Sequence, residues 1–566
     1  MFETNEAIAS NNTVEAPRQP SPLDPLLAPL LTPAGIGFTT IFIFLLIVKN
    51  AKGGRKNVLA DGRFATGGEI RKGEKLGRQQ IREAFPHKAA LKLDRLVLPD
   101  LQPAVAVVGR SRGGKTRSFI DPGIKNAIEQ GWTNLVLDVK GNLMAKHAPY
   151  ALARGYSVYV YAPGFAHSDG LNFLKFMQDD SDAKAAEEIA TVLEANFGEP
   201  GAKKDNFFSP QGVALLKLVF MLAKSSSFPD LLSAWKFLSL PNLAGRLEAA
   251  HLYDQFNCAD GIGSWIGEAA VALRSVAHAE ETSVGIVGSA VTNFQRMMDR
   301  SIVPCLTNHT IPLDLRGKQI VFFQIDEQNE AATAPLVATA LHMLVKRNLN
   351  AKVKRDNTMG LWLDEFDSIG LPDIKNWINR FAEYGMVAAL SYQSDSQVKL
   401  RYTRDYADSI LSSCGTKIYF NTNHPETADK FSHSLGNKEV SYDSESRSYG
   451  QNSSRSVSEH RQKVALISGA EINRFAPGEC VVLSPGFKYR PHKTKIPIDK
   501  KNDRLWSKCE QLWFDKVLPH RLEQFSTTKE DPDTALTDRQ IIAESILPTK
   551  EELQALQGEE ELVQQS

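Results

Sequence analysis

Apolar residues follow two rhythms along the chain. Short, mostly apolar runs bounded by Gly, Pro or charged residues read as buried strands. They fall at 101–108, 134–138, 156–161, 319–325, 360–365, 386–392, 417–421 and 479–484. Between them the apolar positions recur at helical spacing, as in Arg117–Gln130 and Ala331–Leu349. From Asp205 to Thr307 the pattern is helical throughout, with an apolar face over Ser209–Lys224 and breaks at Pro229, Pro241 and Gly261–Gly263. Strands alternating with helices predict an α/β fold with a largely parallel sheet, which takes its ligands at the C-terminal ends of the strands.

Three stretches depart from this alternation. Leu26–Val48 carries no charged residue and is long enough for a membrane span, which needs about 20 residues. Lys49, Lys52, Arg55, Lys56 and Arg63 follow it, whereas Glu3, Glu6, Glu15 and Asp24 precede it. By the positive-inside rule residues 1–25 lie outside the cytoplasm and the bulk of the chain lies inside. A cleaved signal would need a basic region before the apolar run and small residues after it, and neither is present. The basic segment 49–100 can meet anionic lipid or nucleic acid. Ser441–Gln462 is Ser-rich and nearly free of apolar residues, so it reads as a mobile surface hairpin tip or a channel-facing loop. Residues 501–566 read as a tail that turns acidic after Lys529. Such a tail either docks a basic partner or solubilises the chain.

The chemistry gathers where strands end. The first strand runs into Gly109-Arg110-Ser111-Arg112-Gly113-Gly114-Lys115-Thr116, which satisfies G-x-x-x-x-G-K-[ST] at every fixed position. The glycines let backbone N–H groups turn inward around phosphates, Lys115 reaches the β/γ-phosphates, and the Thr116 hydroxyl can ligate Mg²⁺. The cofactors expected are therefore ATP and Mg²⁺. Gly360-Leu-Trp-Leu-Asp364-Glu365 is an apolar strand closed by two carboxylates, a Walker-B pattern. Asp364 would hold Mg²⁺ through its water shell and Glu365 would act as general base toward the attacking water. Gln393, just past the strand at 386–392, can sense a γ-phosphate by hydrogen bonding.

Together these motifs resemble the type IV coupling proteins, the TraG/TraD-type ATPases of conjugation and type IV secretion. The resemblance runs from about Ala104 to Lys495. Beyond the phosphate loop and Walker B it rests on several pieces: Asp138-Val-Lys-Gly141 (like D-P-K-G, with Val139 in place of Pro), Tyr384-Gly, Ser391-Tyr-Gln393-Ser, Glu426-Thr-Ala with Leu435-Gly436, and Glu471-Ile with Pro477-Gly-Glu479. It implies a RecA-like motor over 101–204 and 308–500, an all-α insert at 205–307, and Asp138 among the nucleotide-binding residues. It further implies a homo-hexamer at the bacterial inner membrane that handles single-stranded DNA without sequence preference. The partners implied are a relaxase or relaxosome protein and type IV secretion channel components. Many members have two membrane spans, where this chain has one candidate. The family often carries a basic residue, a candidate arginine finger, where this chain has Ala382, so the nearby Arg380 is the substitute candidate.

Composition narrows the choice. The 566 residues suffice for about three or four domain-sized pieces. With 66 Lys+Arg against 66 Asp+Glu the net charge is zero, so a grip on nucleic acid must come from a local patch. The 42% hydrophobic and 23% charged fractions exclude a wholly disordered chain and a polytopic membrane protein. The five cysteines are scattered and form no C-x-x-C pair, which fits ordinary thiols in a reducing compartment. Two other readings stay open. One is a double-stranded DNA translocase of the FtsK/HerA type, which in its FtsK form predicts a winged C-terminal domain. The other is a nucleotide-gated receptor that hydrolyses little.

Overall fold

The structure, a computed structural model, describes residues 60–197, 210–256, 263–274, 280–448, 454–497 and 500–554. The expected anchor Leu26–Val48 lies outside them, and among the described residues no helix is long and apolar enough to cross a membrane. The chain divides into two compact units, Gly62–Lys438 with Ala465–Ser566, and Met1–Asp61 with Glu439–Val464.

The larger unit opens with helix α1 (Gly67–Glu83), started by a capping box in which Thr66 and Glu69 satisfy each other's backbone N–H. A short hairpin, β1 (Leu91–Leu93) and β2 (Leu96–Leu98), leads to β3 (Ala104–Val108). Then come α2 (Asp121–Glu129), β4 (Thr133–Leu137), α3 (Asn142–Leu152) and β5 (Ser157–Tyr161). Seven helices follow: α4 (Ala183–Asn196), α5 (Pro210–Ser225), α6 (Leu231–Leu238), α7 (Leu243–Phe256), α8 (Ser264–Arg274), α9 (Glu280–Gln295) and α10 (Val303–Thr307). The alternation resumes with β6 (Gln319–Phe323), α11 (Glu330–Asn348), β7 (Met359–Leu363), α12 (Ile374–Arg380) and β8 (Met386–Tyr392). It closes with α13 (Asp395–Arg401), α14 (Arg404–Ser413), β9 (Thr416–Tyr419) and α15 (Pro425–Leu435). After the ribbon β10 (Asn437–Ser448) and β11 (Ser454–Ala465) come α16 (Gly469–Ile472), β12 (Glu479–Leu483) and β13 (His492–Lys495). Helices α17 (Lys500–Leu512), α18 (Leu518–Thr528) and α19 (Pro532–Ile546) end the sequence of elements.

Nine strands form one mixed sheet in the order β13-β12-β9-β3-β8-β7-β4-β6-β5. The seven from β9 to β5 are parallel, and β12 and β13 add antiparallel at one edge. Alternate residues of each central strand point to opposite faces. Ala104, Ala106 and Val108 of β3 join the core that includes α4, α5 and α11, whereas Val105 and Val107 join the core that includes α2 and α3. Burial on both faces explains why these strands read as continuous apolar runs.

The helix expected over Arg117–Gln130 begins instead with a wider π turn at Thr116–Ile120, and α2 takes over at Asp121. Pro122 has no N–H to continue an α-helical ladder from this loop, and one wider turn absorbs the defect. Between β5 and β6 the described residues are free of strands. This helical stretch already starts at Ala183, ahead of the expected boundary at 205, and lies in the same compact unit as the sheet.

One expectation is extended and one corrected. Residues 441–448 and 454–462 of the Ser-rich segment lie in a two-stranded ribbon, β10 with β11, so the strands of the hairpin take in most of the segment rather than leaving it at the tip. The ion pairs Glu439–Arg461 and Glu445–Arg455 fix its strands as antiparallel, and Tyr442 stacks with His460. Alternation of charged with uncharged positions supplied a strand pattern without an apolar face. The described part of 501–566 is not an acidic tail in solvent. Helix α17 packs on α3, with Trp506 edge-on to His147 at 4.6 Å, and α19 packs on α6. Arg539 pairs with Asp230 (2.8 Å) and Glu530 (2.7 Å), both ends of the Asp230 pair being 3% exposed. Of their apolar residues, Trp513, Phe525, Ala535 and Leu547 are buried, so a few well-spaced contacts hold these largely polar helices down.

Candidate functional site

The strand registers determine which side chains meet. Leu363 of β7 pairs with Leu137 of β4 on one side and Leu390 of β8 on the other. The next residue on each strand, Asp364, Asp138 and Ser391, therefore emerges at one level of the sheet's C-terminal edge. Leading out of β3, the loop 109–116 enters the same edge two strands from β7. A cleft of about 550 Å³ results, lined by Arg110, Ser111, Arg112, Gly114, Lys115 and Thr116 from the loop. Asp138, Asp364, Glu365, Gln393 and Lys140 line it from the strand ends.

Backbone geometry makes the loop a cradle. Gly114 has φ +108, and a Cβ there would stand 2.7 Å from the backbone N of Gly478, so no other residue fits without displacing the β12 entry. Gly109 donates from its N–H to Tyr392 O (3.3 Å), Arg110 to Asn421 O (2.7 Å) and Gly113 to Arg110 O (3.0 Å). Arg112 holds φ +59, a region a long side chain visits rarely. Lys115 is buried and its ammonium donates to Gly109 O. Burial pushes its pKa down, against the pull of Asp364. An ammonium parked on a backbone carbonyl has an exchangeable bond to offer an incoming anion.

The acidic side of the cleft is equally ordered. Thr116 Oγ1 donates to Asp364 Oδ2 (3.1 Å) and Ser391 Oγ to Asp364 Oδ1 (2.9 Å). Burial raises the Asp364 pKa, and the Ser391 hydroxyl, the Lys115 ammonium and the Thr116 hydroxyl oppose it. A hydroxyl and a carboxylate this close are a fitting pair of oxygen donors for Mg²⁺. Glu365 sits at φ +61 and its Oε1 meets Lys140 Nζ at 2.7 Å. That hydrogen bond raises the Lys140 pKa. Asp138 accepts the N–H of Met144 (2.7 Å) and so anchors the first turn of α3. Burial, with the Asp364 charge adding to it, pushes Asp138 up to about 7.

The structure thus gathers Lys115, Thr116, Asp138, Asp364, Glu365, Gln393 and the loop residues, with Gly109 and Gly113 in the loop backbone. Arg380 is not brought in: it is exposed at the end of α12 and does not line this cleft. Sequence reasoning assigned no role to Lys140 or Ser391. The signal available was strand order, since β4 and β8 both flank β7. A further cluster, Glu188, His342 and Asp373, has metal-ligand spacing. Lys346 Nζ already fills it, 2.6 Å from Glu188 and 3.1 Å from Asp373.

Comparison with known proteins agrees with this geometry. No curated protein sequence matches the chain. Among solved structures, the conjugative coupling protein TrwBΔN70 in an unbound form superposes with TM-score 0.52 at 17% identity, covering 75% of this chain and 92% of that one. TrwB with the ATP analogue ADPNP gives TM-score 0.56 at 16% identity, covering 79% and 97%. TrwB with ADP and Mg²⁺ gives 0.53 at 18% identity, covering 78% and 94%. These likenesses establish a shared fold. The family profile described as "Type IV secretory system Conjugative DNA transfer" matches residues 70–495, which include both carboxylates of the β7 edge and the whole phosphate loop. The chain belongs to this conjugative DNA transfer family of type IV secretion.

Proposed function

We propose that the chain is a membrane-anchored ATPase that couples a relaxase–DNA substrate to a type IV secretion channel and drives its transfer. The observation that carries this reading is the Thr116–Asp364 contact beside buried Lys115, a triphosphate-and-Mg²⁺ arrangement within a conjugative-transfer family member. Relatives of the same fold solved with ADPNP and with ADP and Mg²⁺ support ATP and Mg²⁺ as its ligands. In this reading Lys115 and the loop N–H groups bind the phosphates, and Thr116 and Asp364 hold Mg²⁺ directly or through water. Glu365 takes the proton of the attacking water and Gln393 reports the γ-phosphate.

Leu26–Val48 anchors the chain once in the bacterial inner membrane, with the bulk in the cytoplasm. The helices between β5 and β6 act as the all-α insert that meets the relaxosome. Six copies form a ring around single-stranded DNA, and exposed Arg380 serves the cleft of a neighbouring subunit rather than its own. The described residues 500–554 hold helices and no strand, which weighs against the winged duplex-reading domain of the FtsK-type alternative. The intact Asp364–Glu365 pair weighs against a receptor that rarely hydrolyses.

Two variants test the chemistry. Lys115→Ala should abolish nucleotide-dependent activity by removing the charge at the β/γ-phosphates. Glu365→Gln should keep nucleotide binding and slow hydrolysis about 10²-fold or more. Wild-type hydrolysis by Glu365→Gln would remove Glu365 from the role of base.

A further inference from the structure

Helix α1 carries a single-signed stripe that nothing in the nucleotide site uses. Arg71, Lys75, Arg78 and Arg82 stand at i, i+4, i+7 and i+11, one face of an α-helix. Lys72 lies beside them, and all five are exposed. Neighbouring like charges at these spacings repel and destabilise a helix. The carboxylates of α1 do little to offset this. Glu69 is committed to Arg63 (2.8 Å) and to the Thr66 cap, and Glu83 accepts from Gln79 (2.7 Å). Glu74 reaches Arg78 alone (3.2 Å). Arg71, Lys72, Lys75 and Arg82 have no carboxylate partner among the described residues.

The opposite face fixes how the stripe points. A Cβ on Gly73 would stand 2.5 Å from Gly486 O, and one on Gly77 would stand 2.6 Å from Val97 Cγ1. Gln80 accepts the Asp100 N–H at 3.1 Å. Glycine contacts this close seat the helix without freedom to roll, so the cations form a preset row about 16 Å long.

We propose that this row is a docking surface for an anionic bilayer, the inner leaflet into which the chain is anchored. The proposal rests on the anchor reading given above. Two observations favour lipid. Gly62, which begins the larger unit, is only fourteen residues beyond Val48, a reach of at most about 50 Å. Exposed Phe64 (36%) and Phe85 (48%) flank the two ends of the helix, and apolar rings beside a basic helix face bury at the boundary of headgroups and acyl chains. Juxtamembrane cations of this kind are attracted to anionic lipid within a Debye length.

The test uses the full chain with lipid of two compositions, neutral phosphatidylcholine alone or with about one third phosphatidylglycerol. Lys72 and Lys75 are scored by mass spectrometry for reaction with an amine-reactive reagent, with exposed Lys354 as the internal reference. Labelling of both should slow about fivefold or more in the anionic lipid, recover at high salt, and remain unslowed in neutral lipid. The double variant Arg71→Glu/Arg82→Glu should lose that protection while binding nucleotide as wild type does. Equal labelling in the two lipids overturns the proposal. So does protection in neutral lipid upon adding single-stranded DNA, which would make the stripe a nucleic-acid surface. A carbonate wash judges the anchor separately: release of the chain removes the anchor reading, while the labelling contrast still judges α1, because a peripheral contact needs no span.

Discussion

At the level of single residues, the nucleotide cleft is a set of exchangeable partnerships. Lys115 rests on Gly109 O, Thr116 and Ser391 rest on Asp364, and Lys140 rests on Glu365. The Lys140–Glu365 pair is partly exposed, 51% and 35%, and such pairs stabilise a fold by no more than about 1 kcal/mol. In the proposed mechanism a γ-phosphate entering the cleft draws Lys140 away and leaves Glu365 free for water. Lys140→Ala should weaken binding of a non-hydrolysable ATP analogue several-fold more than binding of ADP, measured by calorimetry on the same preparation. Equal losses for the two nucleotides would deny Lys140 any contact with the third phosphate. The phosphate loop and Walker-B residues were legible in the sequence because their chemistry needs fixed spacing along the chain. Lys140 and Ser391 were not, because their role comes from strand neighbours that lie far apart in sequence.

Among the secondary-structure elements, legibility followed burial. Strands β3, β4, β7 and β8 are covered on both faces, so each left an apolar run that could be read directly. The ribbon β10–β11 left none, because its strands alternate charged with uncharged residues. Helices α17–α19 were obscured differently: charged and polar residues of both signs dominate their composition, while docking depends on a few aromatic and aliphatic contacts and on Arg539. Removing one partner of a buried ion pair costs about 3–5 kcal/mol, because the other charge is left without compensation. Arg539→Ala should accordingly lower the thermal midpoint by several degrees and open α19 to protease. Replacing Asp230 and Arg539 together by apolar residues of similar volume should recover most of the loss. An unchanged midpoint in the single variant would show that α19 is not held by this pair.

Considered as a whole molecule, the chain joins a phosphate-binding cleft to a helical stretch between β5 and β6, a C-terminal strap and a basic helix near its expected anchor. Zero net charge means that any hold on DNA is local; in the proposed ring it would lie where subunits meet around a pore, and it should weaken steeply with salt as neutralised phosphates regain their counterions. An exposed Arg380, outside its own cleft, fits a site completed by a neighbour. The most direct measurement is ATP hydrolysis per subunit by the full chain across a protein-concentration series, with and without single-stranded DNA, beside Lys115→Ala. The rate should rise with both concentration and DNA and vanish in the variant. A rate flat in both variables, with nucleotide still bound, would contradict the ring motor and favour a nucleotide-gated receptor.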